Sequence, residues 1–440
     1  MSLAAFRLDD PDLVEAGDPG GMLREVASSA AQVRTALRTC AEADLSALSP
    51  DTRPRAIIVA GIGGAAFAGD ALAAICGVSS PVQVLGVSGY QLPGWVGAAD
   101  LVIAASRSGE TAEPLALAAE ATRRGCELVV VCAPGSPLHE LAQRARGTFI
   151  PVDSGGPARS MPWALTIPLL VIASRIGLAE LDDDAYEAAA AAMEDISHQC
   201  RPSSDSFVNP AKSLALDLAG ALPLIWGGSP VAVAAARRFA SQLAANAKYP
   251  AVFGALPAAG YDQVATLDGP FVPSPEPEFP AAEDFGEEAF DEFADAGEQL
   301  DETGDGPLLR LVLLGDPKGE HPSVTRVRTA AAELAGARGA EVSEIAMDAD
   351  TPLLRLVMTV QLLDYASVYL GIACGVDPLA IAAIKDLRDI AERPVLVTDE
   401  GRRRGARGQP EHRYHEVRRV PRHRVRVNAR RVRALGGGHF

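Results

Sequence analysis

Short apolar runs, each halted by a small polar turn and followed by an Ala- and Leu-rich stretch, recur along this chain. Ala56-Ile57-Ile58-Val59-Ala60 stops at Gly61-Ile62-Gly63-Gly64 and leads into a helical stretch reaching Cys76. Leu101 to Ala105 stops at Ser106-Arg107-Ser108-Gly109-Glu110-Thr111, and a helix over Pro114 to Arg124 carries the chain to another strand ending at Val131. Runs without in-and-out alternation are strands covered on both faces, and strands alternating with helices build parallel sheets. The pattern then repeats: Leu222 to Gly228 leads into a helix over Val231 to Ala247, and Leu311 to Asp316 into a helix ending near Ala335. Even the exits match, Arg124-Gly125-Cys126-Glu127-Leu128 against Arg338-Gly339-Ala340-Glu341-Val342, each a helix end turning through glycine into a strand. The expectation is an α/β protein with two tandem domains, each a doubly wound, mostly parallel sheet. Its boundaries are a helical segment over 1–50, a first domain over 51–200, a second over 201–395 interrupted at 271–307, and a tail over 396–440.

Ligands of such sheets bind beyond the carboxyl ends of the strands. The turn after the second strand there offers Ser106, Ser108 and Thr111 beside the start of a helix, where unpaired N–H groups and the helix dipole favour an anion. Ordinary helix capping by Ser108 or Thr111 is the competing explanation. The adjacent glycine turn raises the weight of the anion site, because Gly63 and Gly64 let backbone approach a ligand. A dinucleotide fingerprint fails, since Ala66 stands where its third glycine belongs and no acidic residue follows the next strand.

Of 440 residues, 48% are hydrophobic and 22% charged, which suffices for a large core. The net charge of −17 excludes a nucleic-acid partner for the body of the protein. Two extremes lie inside that average. Residues 271–307 hold thirteen acids and no Lys or Arg, which reads as a solvated, mobile insertion. The last forty residues hold thirteen Arg and two acids, about +11, so the rest stands near −28; this tail reads as disordered. The six cysteines (Cys40, Cys76, Cys126, Cys132, Cys200, Cys374) lack metal-ligand spacing and read as reduced packing residues of a cytoplasmic protein. No leader opens the chain, and the apolar stretch Trp163 to Ala173 is shorter than a bilayer span, so no membrane association is expected.

From about Pro54 to Arg388 the chain resembles the sugar isomerase (SIS) domain proteins, and within them the bifunctional phosphoglucose/phosphomannose isomerases. The resemblance rests on Gly61 to Asp70, Ser106 to Thr111, Arg159, Asn246-Ala247-Lys248-Tyr249-Pro250, Pro257 and Asp377-Pro378. It implies aldose–ketose isomerisation of hexose 6-phosphates with no metal, nucleotide or other cofactor. Gly63, Gly64, Ser106, Ser108, Thr111 and Arg159 would hold the substrate phosphate, and a homodimer would complete each site with a segment of the partner. Arg159 has a bland alternative as a solvated loop charge, and Lys248 as a helix end before Pro250.

The resemblance breaks at the proton-handling positions. The family glutamate falls on Ala245, its histidine on Tyr261 and its terminal lysine on Arg388, with Lys385 three residues earlier as a possible substitute; the serine of the glycine turn is Ala65. A methyl group transfers no proton, and an unperturbed phenol, with a pKa of about 10, is a poor shuttle at neutral pH. Two outcomes compete: substitution by other carboxylates, with Asp262, Glu110 and Asp70 as candidates, or a phosphosugar-binding sensor or scaffold without turnover.

Overall fold

A computed structural model of the chain describes residues 3–153, 155–273 and 308–391. Residues through Ala382 form one compact unit. It opens with four helices, α1 (Leu3–Asp9), α2 (Pro11–Gly17), α3 (Met22–Ala27) and α4 (Ser29–Glu42). These are packed into the common core through Leu8, Val14, Met22, Val26 and Val33 rather than standing apart. The ammonium of the buried Lys212 donates to Leu8 O at 2.6 Å, Pro202 O at 2.7 Å and Ser204 O at 2.8 Å, tying α1 to a distant loop.

The first half alternates β1 (Ala56–Ala60), α5 (Gly64–Cys76), β2 (Gln83–Val87), β3 (Leu101–Ser106), α6 (Ala112–Arg123), β4 (Glu127–Cys132), α7 (Pro137–Ala145) and β5 (Thr148–Pro151). All five strands are parallel, in the order β2-β1-β3-β4-β5. The central β1 and β3 are buried along their whole length, as expected of strands covered on both faces. After α8 (Pro162–Arg175), α9 (Asp183–Gln199) and α10 (Pro210–Leu218) the scheme repeats with β6 (Ala221–Gly227), α11 (Pro230–Gln242), β7 (Val252–Ala255), β8 (Leu308–Gly315), α12 (Pro322–Ala337), β9 (Glu341–Ala346) and α13 (Pro352–Ala373). This second sheet is also parallel, in the order β7-β6-β8-β9. Position by position, β1 corresponds to β6 and β3 to β8.

One core joins the halves. Ile57, Val59 and Ile103 from the first sheet and Ile225, Val312 and Leu314 from the second share it with α5, α8, α11 and α13, while the opposite faces are covered by α6 and α7 and by α12. α13 is long and apolar enough to cross a bilayer by composition, yet it lies buried in this core, where sequence reading gave no element of that length.

The helix expected over Val231 to Ala247 is not uniform. It is α-helical to Gln242 and then widens into a π-turn over Leu243–Ala247, closed by Lys248 at φ 55°. The insertion from residue 274 and the tail from residue 392 lie outside the described residues. A second unit begins after Ala382; the helix Ala382–Ala391, none of whose residues is buried, carries Lys385 and Arg388.

Candidate functional site

Ser106 ends β3 with its hydroxyl 2.9 Å from that of Thr111 and accepts a hydrogen bond from Gly109 N at 3.2 Å. The Ser108 hydroxyl accepts from Glu110 N at 3.3 Å. Gly109 has φ 68°, and a Cβ there would overlap Ser136, so only glycine closes this turn. Thr111 occupies the N-cap position of α6 but makes no side-chain cap bond, which removes capping as an account of its hydroxyl. α5 likewise starts without a side-chain cap, from Gly63 at φ 61°. The neighbouring strands β1 and β3 thus deliver two helices whose first N–H groups no side chain has satisfied, with hydroxyls between them. Such a cradle is suited to an anion.

Two further segments close on it. The loop after β5 meets the glycine turn, since a Cβ on Gly64 would lie 3.5 Å from Ala158 O. It meets the hydroxyl turn through Arg107 Nη1, which donates to Gly155 O at 3.4 Å. Arg159, on this loop, is half-buried rather than solvated. Its Nε donates to Asn246 Oδ1 at 2.8 Å and its Nη2 to Pro378 O. Burial pulls its pKa down.

The π-turn places Asn246 between Arg159 and Ser367, to whose hydroxyl its amide donates at 2.9 Å. Such widened turns often mark functional sites. Lys248 reaches back to Asp377 O at 2.7 Å and Asn246 O at 3.2 Å; burial and the neighbouring Arg159 lower its pKa. Behind the loop, Arg238 and Asp364 form an ion pair at 2.6 Å, with side chains 5% and 3% exposed. Arg238 Nη2 and Gln242 Nε2 also donate to Arg159 O, at 3.1 and 3.3 Å. Burial raises the Asp364 pKa, and the pairing with Arg238, which bonds both carboxylate oxygens, opposes that rise.

The structure therefore brings together Gly63, Gly64, Ser106, Ser108, Thr111, Arg159 and the turn carrying Ala245. It does not bring Tyr261 to them. That side chain is 88% exposed, on a short helical loop whose Ala259 and Leu267 turn inward instead. Ala259 and Leu267 of this stretch serve the chain's own core. Lys385 and Arg388 belong to the second unit, so no position relative to the cradle is assigned to them.

Two of the substitute carboxylates are already engaged: Asp262 caps the following turn through Gln263 N at 2.6 Å, and Asp70 pairs with Arg237 at 3.1 Å. Glu110 stays exposed. Ala65 is packed, 2% exposed. A recess of about 420 Å³ between α5 and α11, lined by Asp70, Gly228, Ser229 and Arg237, contains no residue of the cradle. Among the described residues no group of three or more His, Cys, Asp or Glu converges as metal ligands would.

Sequence reasoning missed Arg238, Gln242, Asp364 and Ser367. Their signal was present: Arg238 and Gln242 lie four apart on one helix face, and Asp364 and Ser367 interrupt an otherwise apolar run.

Two parallel sheets of matching strand order, with a hydroxyl turn and a glycine turn at the carboxyl edge of the first, define an α/β protein of the sugar isomerase class. Comparison with known proteins agrees. A model of the SIS domain matches residues 52–165, and one of the bacterial phosphoglucose isomerase C-terminal SIS domain matches residues 207–390. The chain belongs to the SIS sugar isomerase family. It is 29% identical over 214 residues to a bifunctional phosphoglucose/phosphomannose isomerase of Caldicellulosiruptor bescii, covering 49% of this chain and 63% of the relative. It is 24% identical over 205 residues to a D-glucosamine-6-phosphate 4-epimerase of Sulfolobus acidocaldarius, covering 46% and 61%. The match thus spans about three fifths of each curated relative. A solved structure of a hypothetical protein from Thermus thermophilus superposes with a TM-score of 0.61 at 17% identity, over 89% of this chain and 93% of that one, which shows the fold.

Proposed function

We propose that this chain binds hexose 6-phosphates, with the phosphate held by Gly63, Gly64, Ser106, Ser108, Thr111 and Arg159, and that it isomerises them weakly or not at all. The observation that carries the reading is the pair of uncapped helix N-termini flanking the hydroxyls of Ser106, Ser108 and Thr111. Similarity to a phosphoglucose/phosphomannose isomerase supports the substrate class. Against turnover stands Ala245, whose methyl group occupies the position of the family glutamate, and the phenol of Tyr261 in place of its histidine. General acid–base groups contribute about 10²- to 10⁴-fold.

Because Tyr261 points into solvent, we further propose a homodimer in which it reaches the partner's cleft; a monomer by light scattering would count against this. The second reading, a phosphosugar sensor, is favoured by the same substitutions.

The test is a coupled assay of glucose 6-phosphate and mannose 6-phosphate against fructose 6-phosphate, run beside binding by calorimetry. Binding without turnover is expected, with turnover rising by orders of magnitude in Ala245→Glu with Tyr261→His, and Arg388→Lys added if needed. Single changes should restore little, since groups acting as a unit are not additive. Efficient turnover by the unmodified protein would overturn the reading.

A further inference from the structure

The segment that joins β2 to β3 is tied down along its length. The Ser88 hydroxyl donates to Gly61 O at 2.8 Å, fastening the start of the segment to the glycine turn. Farther on, Leu92 N donates to Glu120 Oε2 at 2.8 Å, and the Arg124 guanidinium donates to Pro93 O at 2.7 Å, Val96 O at 3.1 Å and Leu92 O at 3.2 Å. Leu92 and Val96 pack into the core shared with α6. Tyr90 does not follow them inward. It is 60% exposed, and its hydroxyl donates at 2.8 Å to Glu113 Oε1, in the first turn of α6. That carboxylate pushes the phenol pKa up. With Ser88 bonded to the glycine turn and Tyr90 to the first turn of α6, the ring stands at the rim of the phosphate cradle, where Ile62 of the glycine turn is exposed as well. A single exposed aromatic residue is ordinary. Tyr90 differs in that its backbone and its hydroxyl are both tethered, so a ligand would meet a flat apolar surface whose ordering cost is already met.

We propose that Tyr90 is a specificity-determining platform of the cradle, against which a sugar phosphate lays the C–H face of its ring while its phosphate sits at the two helix starts. This rests on the functional reading above and names the part of the ligand that the same site selects. The face of an aromatic ring carries negative potential and attracts polarised C–H groups. The bond to Glu113 keeps the ring from turning away. A short acyclic phosphate ester has no such face to offer, so the platform favours cyclic sugar phosphates over three-carbon ones.

Calorimetry on the full chain with glucose 6-phosphate and glycerol 3-phosphate tests this in the wild type, Tyr90→Phe and Tyr90→Ala. The wild type is expected to bind glucose 6-phosphate the more tightly. Tyr90→Ala should weaken glucose 6-phosphate by about fivefold to tenfold while changing glycerol 3-phosphate by less than about twofold, and Tyr90→Phe should keep most of the preference because the ring remains. Equal wild-type affinity for the two esters overturns the platform, whatever the variants do, and leaves the cradle standing. Glucose 6-phosphate affinity unchanged in Tyr90→Ala overturns it too, as does an equal loss for both ligands, which would place the effect on the cradle. A loss in Tyr90→Phe as large as in Tyr90→Ala assigns the effect to the hydroxyl and overturns the ring's role. If the wild type binds neither ester, the functional reading fails and the platform with it.

Discussion

The two halves share a topology and use the same edge in opposite ways. At the carboxyl ends of β1 and β3 one turn is Gly61-Ile62-Gly63-Gly64 and the other bears the hydroxyls of Ser106, Ser108 and Thr111, with Arg107 and Glu110 offsetting in charge, and the helices that follow start without a side-chain cap. At the corresponding ends of β6 and β8 the protein supplies its own anions. Ser229 caps α11 and donates to Asp316 at 2.6 Å; Asp316 also accepts from Gly319 N at 3.0 Å and pairs with Arg355 at 2.9 Å. Glu320 accepts from Asp316 N at 3.0 Å and pairs with Arg328 at 3.2 Å, and His321 caps α12. The donors that face outward in the first half are spent internally in the second. A repeated fold therefore need not carry a repeated site: what decides is whether the turn leaves its donors open or brings a carboxylate to them.

The comparison breaks most severely at Asp316, buried with Arg355, side chains 0% and 5% exposed. Asp316→Ala strands a buried guanidinium and should cost about 3–5 kcal/mol of stability in denaturant unfolding, with no loss of hexose 6-phosphate affinity in the folded fraction. In the first half the balance reverses. Ser108→Ala with Thr111→Ala should cost roughly tenfold or more in hexose 6-phosphate affinity while moving the unfolding midpoint little, because these hydroxyls hold few structural bonds; calorimetry and thermal melts separate the two effects.

A smaller effect sharpens the contrast at the opposite edge of the first sheet. There Arg55 pairs with Asp100 at 2.6 Å and holds its carboxyl below the usual carboxylate range. A depressed folded-state pKa contributes stability that is complete above the unfolded value of about 3.9 and is lost as pH falls through the lower folded value. The pair is half open to solvent, so its contribution is modest. Asp100→Asn should flatten this acid limb of the pH–stability profile.

Much of this was legible beforehand. Unbroken runs such as Ile57 to Ala60 and Val129 to Cys132 announce central parallel strands, and glycine-punctuated helix exits announce the duplication. The hydroxyl turn was readable because its residues are consecutive. Asn246 on Arg159, Arg238 on Asp364 and Asp316 on Arg355 were not, since each joins residues far apart in sequence that meet only once the chain has packed. Tyr261 was read as a position that a partner's cleft completes, and within the single chain its ring lies in solvent.

The most direct measurement is the stoichiometry and location of hexose 6-phosphate binding by calorimetry on the wild type, Ser108→Ala with Thr111→Ala, and Asp316→Asn. The account predicts one ligand per chain, weakened by the first-half changes and retained in Asp316→Asn. Two ligands per chain, or affinity that survives loss of both hydroxyls, would contradict it.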